Sequence, residues 1–320
     1  MRVLLTGAAG ELGQAVATRL AGADDVEELS GMDLAAPREA RAHLPFVSVD
    51  PRDRHRVIRI VRELAPTAVV HLGVYEQDSE APAWLAYERT VGNAVAVLGA
   101  AAEAGQLDRV VLRSGLEVYG RGRGSVMVPD EAVPPDPTTP FGKTLLEVEG
   151  IAAATGKGAD VPVTVLRLAP LLGPLAESAL ARFLRLPVVP FSGLADPPFS
   201  VLHVDDAADA VVAALRRVPT GPINVVAPSA VTMAQAALIG RRLPVPLVGP
   251  EWELVRRVLR VAGVPVPRHL LELLHRGRTA IGLRAVGLLG LGGLPPTRQV
   301  VRQLYEWSPP VVAPPVVEPA

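Results

Sequence analysis

The sequence predicts an α/β fold, a doubly wound parallel sheet with a smaller C-terminal lobe. Three observations carry this. From the start to about residue 170, short apolar runs rich in β-branched residues alternate with longer segments of helical pattern, as a parallel sheet covered on both faces requires. The first apolar run, VLLTG, passes into glycines at 7, 10 and 13 and then a helix. Beyond 170, Pro and Gly become frequent and the alternation loosens.

Strands are expected at residues 3–6, 28–33, 46–50, 68–72, 109–114 and 163–168, each a short apolar run bounded by turn residues. Helices are expected between them at 12–20, 54–64, 83–104 and 141–154. Residues 1–170 then form the doubly wound domain, with a segment at about 200–226 returning to it. Here the short strands VLHV and PINVV stand. Residues 171–307 form a smaller mixed and helical substrate lobe. The Pro-rich tail at 308–320 is expected to be extended and disordered.

Composition excludes several functions. The 320 residues carry a net charge of −1, without the basic excess of a nucleic-acid binder. The absence of cysteine removes disulfides and thiolate metal sites, and the six histidines show no ligand-like spacing, so no metal is expected. No leader pattern opens the chain, and the apolar runs fall short of the roughly 18–20 residues of a membrane span. A soluble, cytoplasmic protein is the expectation. Residues 251–307 hold nine Arg against four Glu, which reads as a helical lobe with a solvated Arg face, or as an amphipathic face for an anionic membrane surface.

The glycine loop marks the sheet as Rossmann-type. Gly7, Gly10 and Gly13 permit a tight turn, a close approach of backbone to pyrophosphate, and helix-on-strand packing, while the helix start through Glu11 and Leu12 offers free N–H groups. Asp33, closing the second strand about twenty residues on, is placed to accept from a ribose 2′-hydroxyl and to repel a 2′-phosphate, which favours NAD over NADP. Asp50, at the end of FVSVD, could reach an adenine edge by similar geometry or serve as a turn residue.

The blocks TGAAGELG, VVHLG, TVGNAVAVLGAAAEAG, RVVLRSGLEVYG, LRLAPLLGP, VLHVDDAADAVVAAL and PINVV, in this order, resemble the NAD-dependent epimerase/dehydratase group of the extended short-chain dehydrogenase/reductase family. The resemblance implies an NAD cofactor lined by Gly7, Gly10, Gly13, Asp33, Asp50 and Gly73, and a homodimer through the helices at 83–104 and 141–154. It also implies hydride transfer assisted by a Ser or Thr, a Tyr and a Lys. A nearby ammonium lowers the phenol's pKa from about 10 and makes it a usable base.

Those three places read Gly115, Phe141 and Leu145 here. Ser114 adjoins the first, but a regular pleat turns it to the other side. Lys143 lies roughly 200° around the helix from 145. Two surrogate catalysts suggest themselves. Glu117, in SGLEVYG, resembles the acid/base Glu of nucleotide-sugar dehydratases, although the neighbouring acid of that block is Leu116 here; Tyr119 is the other, against a structural role. Tyr75 follows the HLG turn that borders the substrate space. Pro170 stands where nucleotide-sugar enzymes of the group carry Asn, and PPFS precedes the HVDD block, so a small apolar ligand suits the substrate side. His203, Asp205 and Asp206 read as a strand leading into a capped helix. The expected protein binds NAD(H) without the standard mechanism, as a sensor, scaffold or partner subunit; the alternative is an active oxidoreductase or epimerase on a sugar-nucleotide, steroid or other alcohol, using Glu117 or Tyr119.

Overall fold

The computed structural model describes residues 1–37, 44–77, 81–175, 178–249 and 251–307. The chain begins β1 (Arg2–Thr6), α1 (Glu11–Leu20), β2 (Glu28–Asp33), β3 (Phe46–Ser48), α2 (Arg54–Leu64), β4 (Ala68–His71), α3 (Ala83–Glu103) and β5 (Arg109–Gly115). A 3-10 turn (Leu116–Tyr119) leads to α4 (Pro140–Ala159) and β6 (Val163–Leu168). Next come β7 (Leu171–Leu172), α5 (Ala179–Leu184), β8 (Val188–Ser192), β9 (Leu202–His203), α6 (Val204–Arg217) and β10 (Gly221–Val225). The remainder is α7 (Met233–Ile239), β11 (Leu243–Leu247), α8 (Glu251–Val261), α9 (Arg268–Arg276), α10 (Leu283–Leu289) and α11 (Thr297–Glu306).

Seven strands form one parallel sheet in the order β10-β6-β5-β4-β1-β2-β3. The order reverses between β1 and β4, and at such a switch point the carboxyl ends of the strands leave a crevice. Both faces are covered, so Leu4 and Leu5, whose side chains point to opposite faces, are each fully buried. One core joins α1 and α6 to the sheet. The other packs α2, α3 and α4 on the opposite side. A third core, around Phe183, Phe199, Trp252, Leu273 and Leu304, belongs to the C-terminal segments.

Local chemistry sets the ends of the site-bearing elements. Thr139 caps α4 by accepting from Gly142 N, with Pro140 in the first turn, where its missing N–H costs nothing. A Cβ on Gly142 would fall 2.4 Å from the carbonyl oxygen of Glu117. Glycine therefore lets α4 lie directly on the 3-10 turn and brings Phe141 and Leu145 beside Gly115.

Several boundaries differ from expectation. The third strand stops at Ser48 because Asp50 opens a turn, accepting from Arg52 N. α4 runs on to Ala159 and ends at Asp160 in a left-handed conformation. The helical stretch after Glu251 is four helices, interrupted at Pro- and Gly-bearing loops. On α8, Leu254, Val258 and Val261 are exposed. Among the described residues no helix is long and apolar enough to cross a membrane; the tail at 308–320 lies outside them.

Candidate functional site

A cavity of about 760 Å³ opens at the carboxyl ends of β1, β2, β4, β5 and β6. Its cofactor-side wall is the glycine loop. Gly7 sits at φ +69°, and a Cβ there would meet the Leu72 carbonyl carbon at 2.7 Å. A Cβ on Gly13 would fall 2.1 Å from Gly7 O, so only glycine lets α1 start this close to the loop. Gly10 differs: its nearest neighbour would be 3.6 Å away. The protein's own packing does not demand glycine there, which leaves the open side to a ligand.

Asp33 closes the same wall. Its carboxylate accepts from Ala9 N at 2.9 Å, Leu34 N at 2.7 Å and the Tyr75 hydroxyl at 3.2 Å. Burial raises its pKa above the ordinary carboxylate value, and these three donors pull it back only in part. A further donor such as a ribose hydroxyl would favour the charged form. Tyr75, which the sequence set beside the substrate, thus belongs to the Asp33 end. Glu11, Leu12 and Gly73 also line the cavity; Glu11 accepts from Leu175 N at 2.9 Å and so ties the first turn of α1 to the loop after β7. Asp50 does not line it among the described residues: Arg52 holds its carboxylate at 2.7 Å and pulls its pKa down.

The facing wall carries Gly115, Phe141 and Leu145. Phe141 and Leu145 are buried, at 9% and 2% exposure, while Lys143 points to solvent. Ser114 donates to Glu149 Oε1 at 2.6 Å. The place of a side chain at 115 is already taken, because a Cβ there would lie 2.3 Å from Glu117 Oε2.

Glu117 is held by a buried cation. Arg278 Nη1 lies 2.8 Å from Glu117 Oε1, and its Nη2 lies 3.0 Å from Glu272 Oε2. Tyr119 lies away from the cavity. Its hydroxyl donates to Asn224 Oδ1 at 2.8 Å and accepts from Arg167 at 3.0 Å, and Arg167 pairs at 2.7 Å with Glu149. Burial raises the phenol's pKa, the wrong direction for a base near neutral pH. The sequence-level assignment of Tyr119 as a surrogate catalyst therefore gives way to a structural one. His203 caps α6 by accepting from Asp205 N at 3.0 Å.

Two lining residues had no signal in the sequence. His269, on α9, stacks on Phe141 with ring centroids 4.6 Å apart, and its Nε2 lies 2.8 Å from Glu76 Oε1. The partners are 193 residues apart. Leu171, Leu175, Leu180, Leu270 and Leu273 also line the cavity.

A doubly wound sheet with this loop and this carboxylate defines a dinucleotide-binding α/β protein. The profile of the NAD dependent epimerase/dehydratase family matches residues 3–227, and the chain belongs to that family. Its cofactor is NAD, and the glycine cradle and Asp33 fit that group. An uncharacterised protein of Mycobacterium tuberculosis is 33% identical over 258 residues, 77% of this chain and 68% of that protein. A UDP-glucose 4-epimerase of Azospirillum brasilense is 27% identical over 318 residues, covering 96% of this chain and 77% of the relative. Among solved structures, a UDP-galactose 4-epimerase superposes with TM-score 0.74 at 21% identity, over 96% of this chain and 98% of the other. The UDP-glucose 4-epimerase of Brucella ovis in complex with NAD gives 0.72 at 20%, over 95% and 96%.

Proposed function

We propose that the chain binds NAD(H), in preference to NADP, together with a second small molecule of largely apolar body, and that the phenol-and-ammonium route of proton transfer is closed in it. When bound, NAD supplies a hydride acceptor. The protein's part is to hold and orient. The first-turn N–H groups of α1, which no preceding carbonyl can reach, offer an anion site at Gly10, and the Asp33 carboxylate accepts from the ribose and repels a 2′-phosphate.

The observation that carries this reading is the wall facing the cradle. Phe141 and Leu145 have no proton to exchange, and Glu117 fills the seat of a residue-115 side chain. Two relatives are named as 4-epimerases of UDP-glucose and of dTDP-L-rhamnose. Carrying their substrates over would ask a cavity lined by five leucines to receive a second diphosphate, although Arg278, which also lines it, is already shared by two carboxylates. The sensor, scaffold or subunit role rested on the loss of the three catalytic side chains at 115, 141 and 145 beside an intact glycine loop, and did not weigh two further acid–base groups that line the cavity. His269 and Glu76 are those groups.

Titration calorimetry of the full chain tests the reading. Heat is expected with NAD and with NADH, and NADP should bind at least about tenfold more weakly, a difference of about 1.4 kcal/mol. No heat with either form of NAD would remove the reading.

A further inference from the structure

The His269–Glu76 pair has the geometry of a proton-transfer site. Glu76 is fixed at both ends: Oε1 meets His269 Nε2 at 2.8 Å, and Oε2 accepts from Ala179 N at 3.1 Å at the head of α5. A carboxylate on Nε2 makes that nitrogen the N–H of the neutral ring and leaves the lone pair on Nδ1. Among the described residues Nδ1 has no protein hydrogen-bond partner, and it is not a sealed atom. The imidazole is buried to 6% exposure, lines the cavity and touches the ring of Phe141. An imidazole held by a carboxylate on one nitrogen and open on the other is the usual build of a general base.

We infer that His269 takes the proton that a phenol at 141 would otherwise take, that Glu76 is its positioning residue, and that the ligand is a secondary alcohol on a largely apolar body. The inference rests on the dinucleotide binding proposed above. In the step, the ligand's O–H bond breaks and its proton forms a bond to His269 Nδ1. With NAD bound, its nicotinamide would supply the oxidant: the electron pair of the carbinol C–H bond would leave to it as hydride, and the C–O bond would become C=O. Glu76 stays ionised and balances the imidazolium. Leu171, Leu175, Leu180, Leu270 and Leu273 supply the apolar surroundings that select the body of the ligand.

The test has two readouts on the full chain. The first needs no turnover: in [15N]histidine-labelled protein saturated with NADH, cyclohexanol forms a complex that cannot react, and the His269 Nδ1 resonance, assigned by its loss in His269→Gln, should shift. The second follows NADH formation from NAD with cyclohexanol, cyclooctanol and 2-decalol. Wild type should turn over at least one of them, and His269→Gln and His269→Asn should each lower kcat by about 100-fold or more. Glu76→Gln should lower kcat by about tenfold and leave KM and NAD affinity within about twofold, whereas a structural role would move affinity and melting together. The inference falls if Nδ1 does not respond, if wild type that binds NAD oxidises none of the three alcohols, or if a folded His269 variant keeps its rate. Failure of wild type to bind NAD would show separately, by calorimetry, and would take the dinucleotide reading down first.

Discussion

Gly115→Ser should be destabilising because of one carboxylate. The new Cβ would fall 2.3 Å from Glu117 Oε2 and 3.1 Å from Leu145 Cδ1. The leucine methyl can yield by a few tenths of an ångström. Glu117 cannot yield cheaply, since Arg278 grips its other oxygen at 2.8 Å in a pair with side chains 2% and 9% exposed. Removing one partner of a buried pair costs about 3–5 kcal/mol. Arg278 keeps Glu272, so the low end applies, about 3 kcal/mol. At about 2.1 cal/mol/K per residue of unfolding entropy, that lowers the melting temperature by about 4 °C for a chain of this size.

With Glu117→Ala the obstacle is gone, and the same serine should cost about 1 kcal/mol or less. Urea unfolding of wild type, both single variants and the double variant closes the cycle, and the expected coupling is about 2 kcal/mol. Equal costs for the serine in the two backgrounds, to within about 0.5 kcal/mol, would refute the steric account. If the account holds, a hydroxyl at 115 and the Glu117 carboxylate are alternatives, and rebuilding the Ser, Tyr and Lys of the resembled pattern requires a change at 117 as well.

Two further outcomes follow from the same geometry. Burial pushes the pKa of His71 down to about 4, with Thr6 Oγ1 2.9 Å from Nδ1, while the unfolded chain takes the proton near 6.5. Its contribution is therefore complete above pH 6.5 and lost as pH falls through about 4, a change of about 3 kcal/mol; urea midpoints at pH 7 and 4.5 should show a smaller acid loss in His71→Gln, and an identical loss would count against the buried-neutral state. Gly10→Ala should leave unfolding unchanged yet weaken NAD by about tenfold or more, whereas Gly13→Ala, with its Cβ 2.1 Å from Gly7 O, should lose both NAD binding and about 2 kcal/mol of stability; equal behaviour of the two variants would contradict the assignment of one glycine to the ligand and the other to packing.

Much of the frame was legible because its signals are local. The glycine loop, the strand closing at Asp33 and the helix carrying Phe141 and Leu145 each follow from residues a few positions apart. The later strand PINVV could be seen, but its pairing with β6 at the sheet edge joins residues 57 positions apart, as Ile223 and Leu166. Asp50 has the same look in the sequence as Asp33, a carboxylate ending an apolar run. Only the fold reveals that one lines the cavity and the other closes a turn on Arg52. Glu117 read as a free acid, because its partner Arg278 lies 161 residues away. His269 in RHLLELLHR had the helical leucine spacing of a core helix, and nothing in that segment points back to Glu76.

The position of β10 means that the nucleotide-binding half cannot be cut out by severing the chain after Leu168. Such a fragment would lack the outermost strand of the seven, baring the hydrogen-bonding edge of β6 to other chains. It would also lose α6, which buries Val211 and Leu215 and whose Asp205 and Asp209 clasp Arg19 on α1. The helix that starts at the cofactor cradle is thus shored up by sequence lying beyond the first part of the lobe.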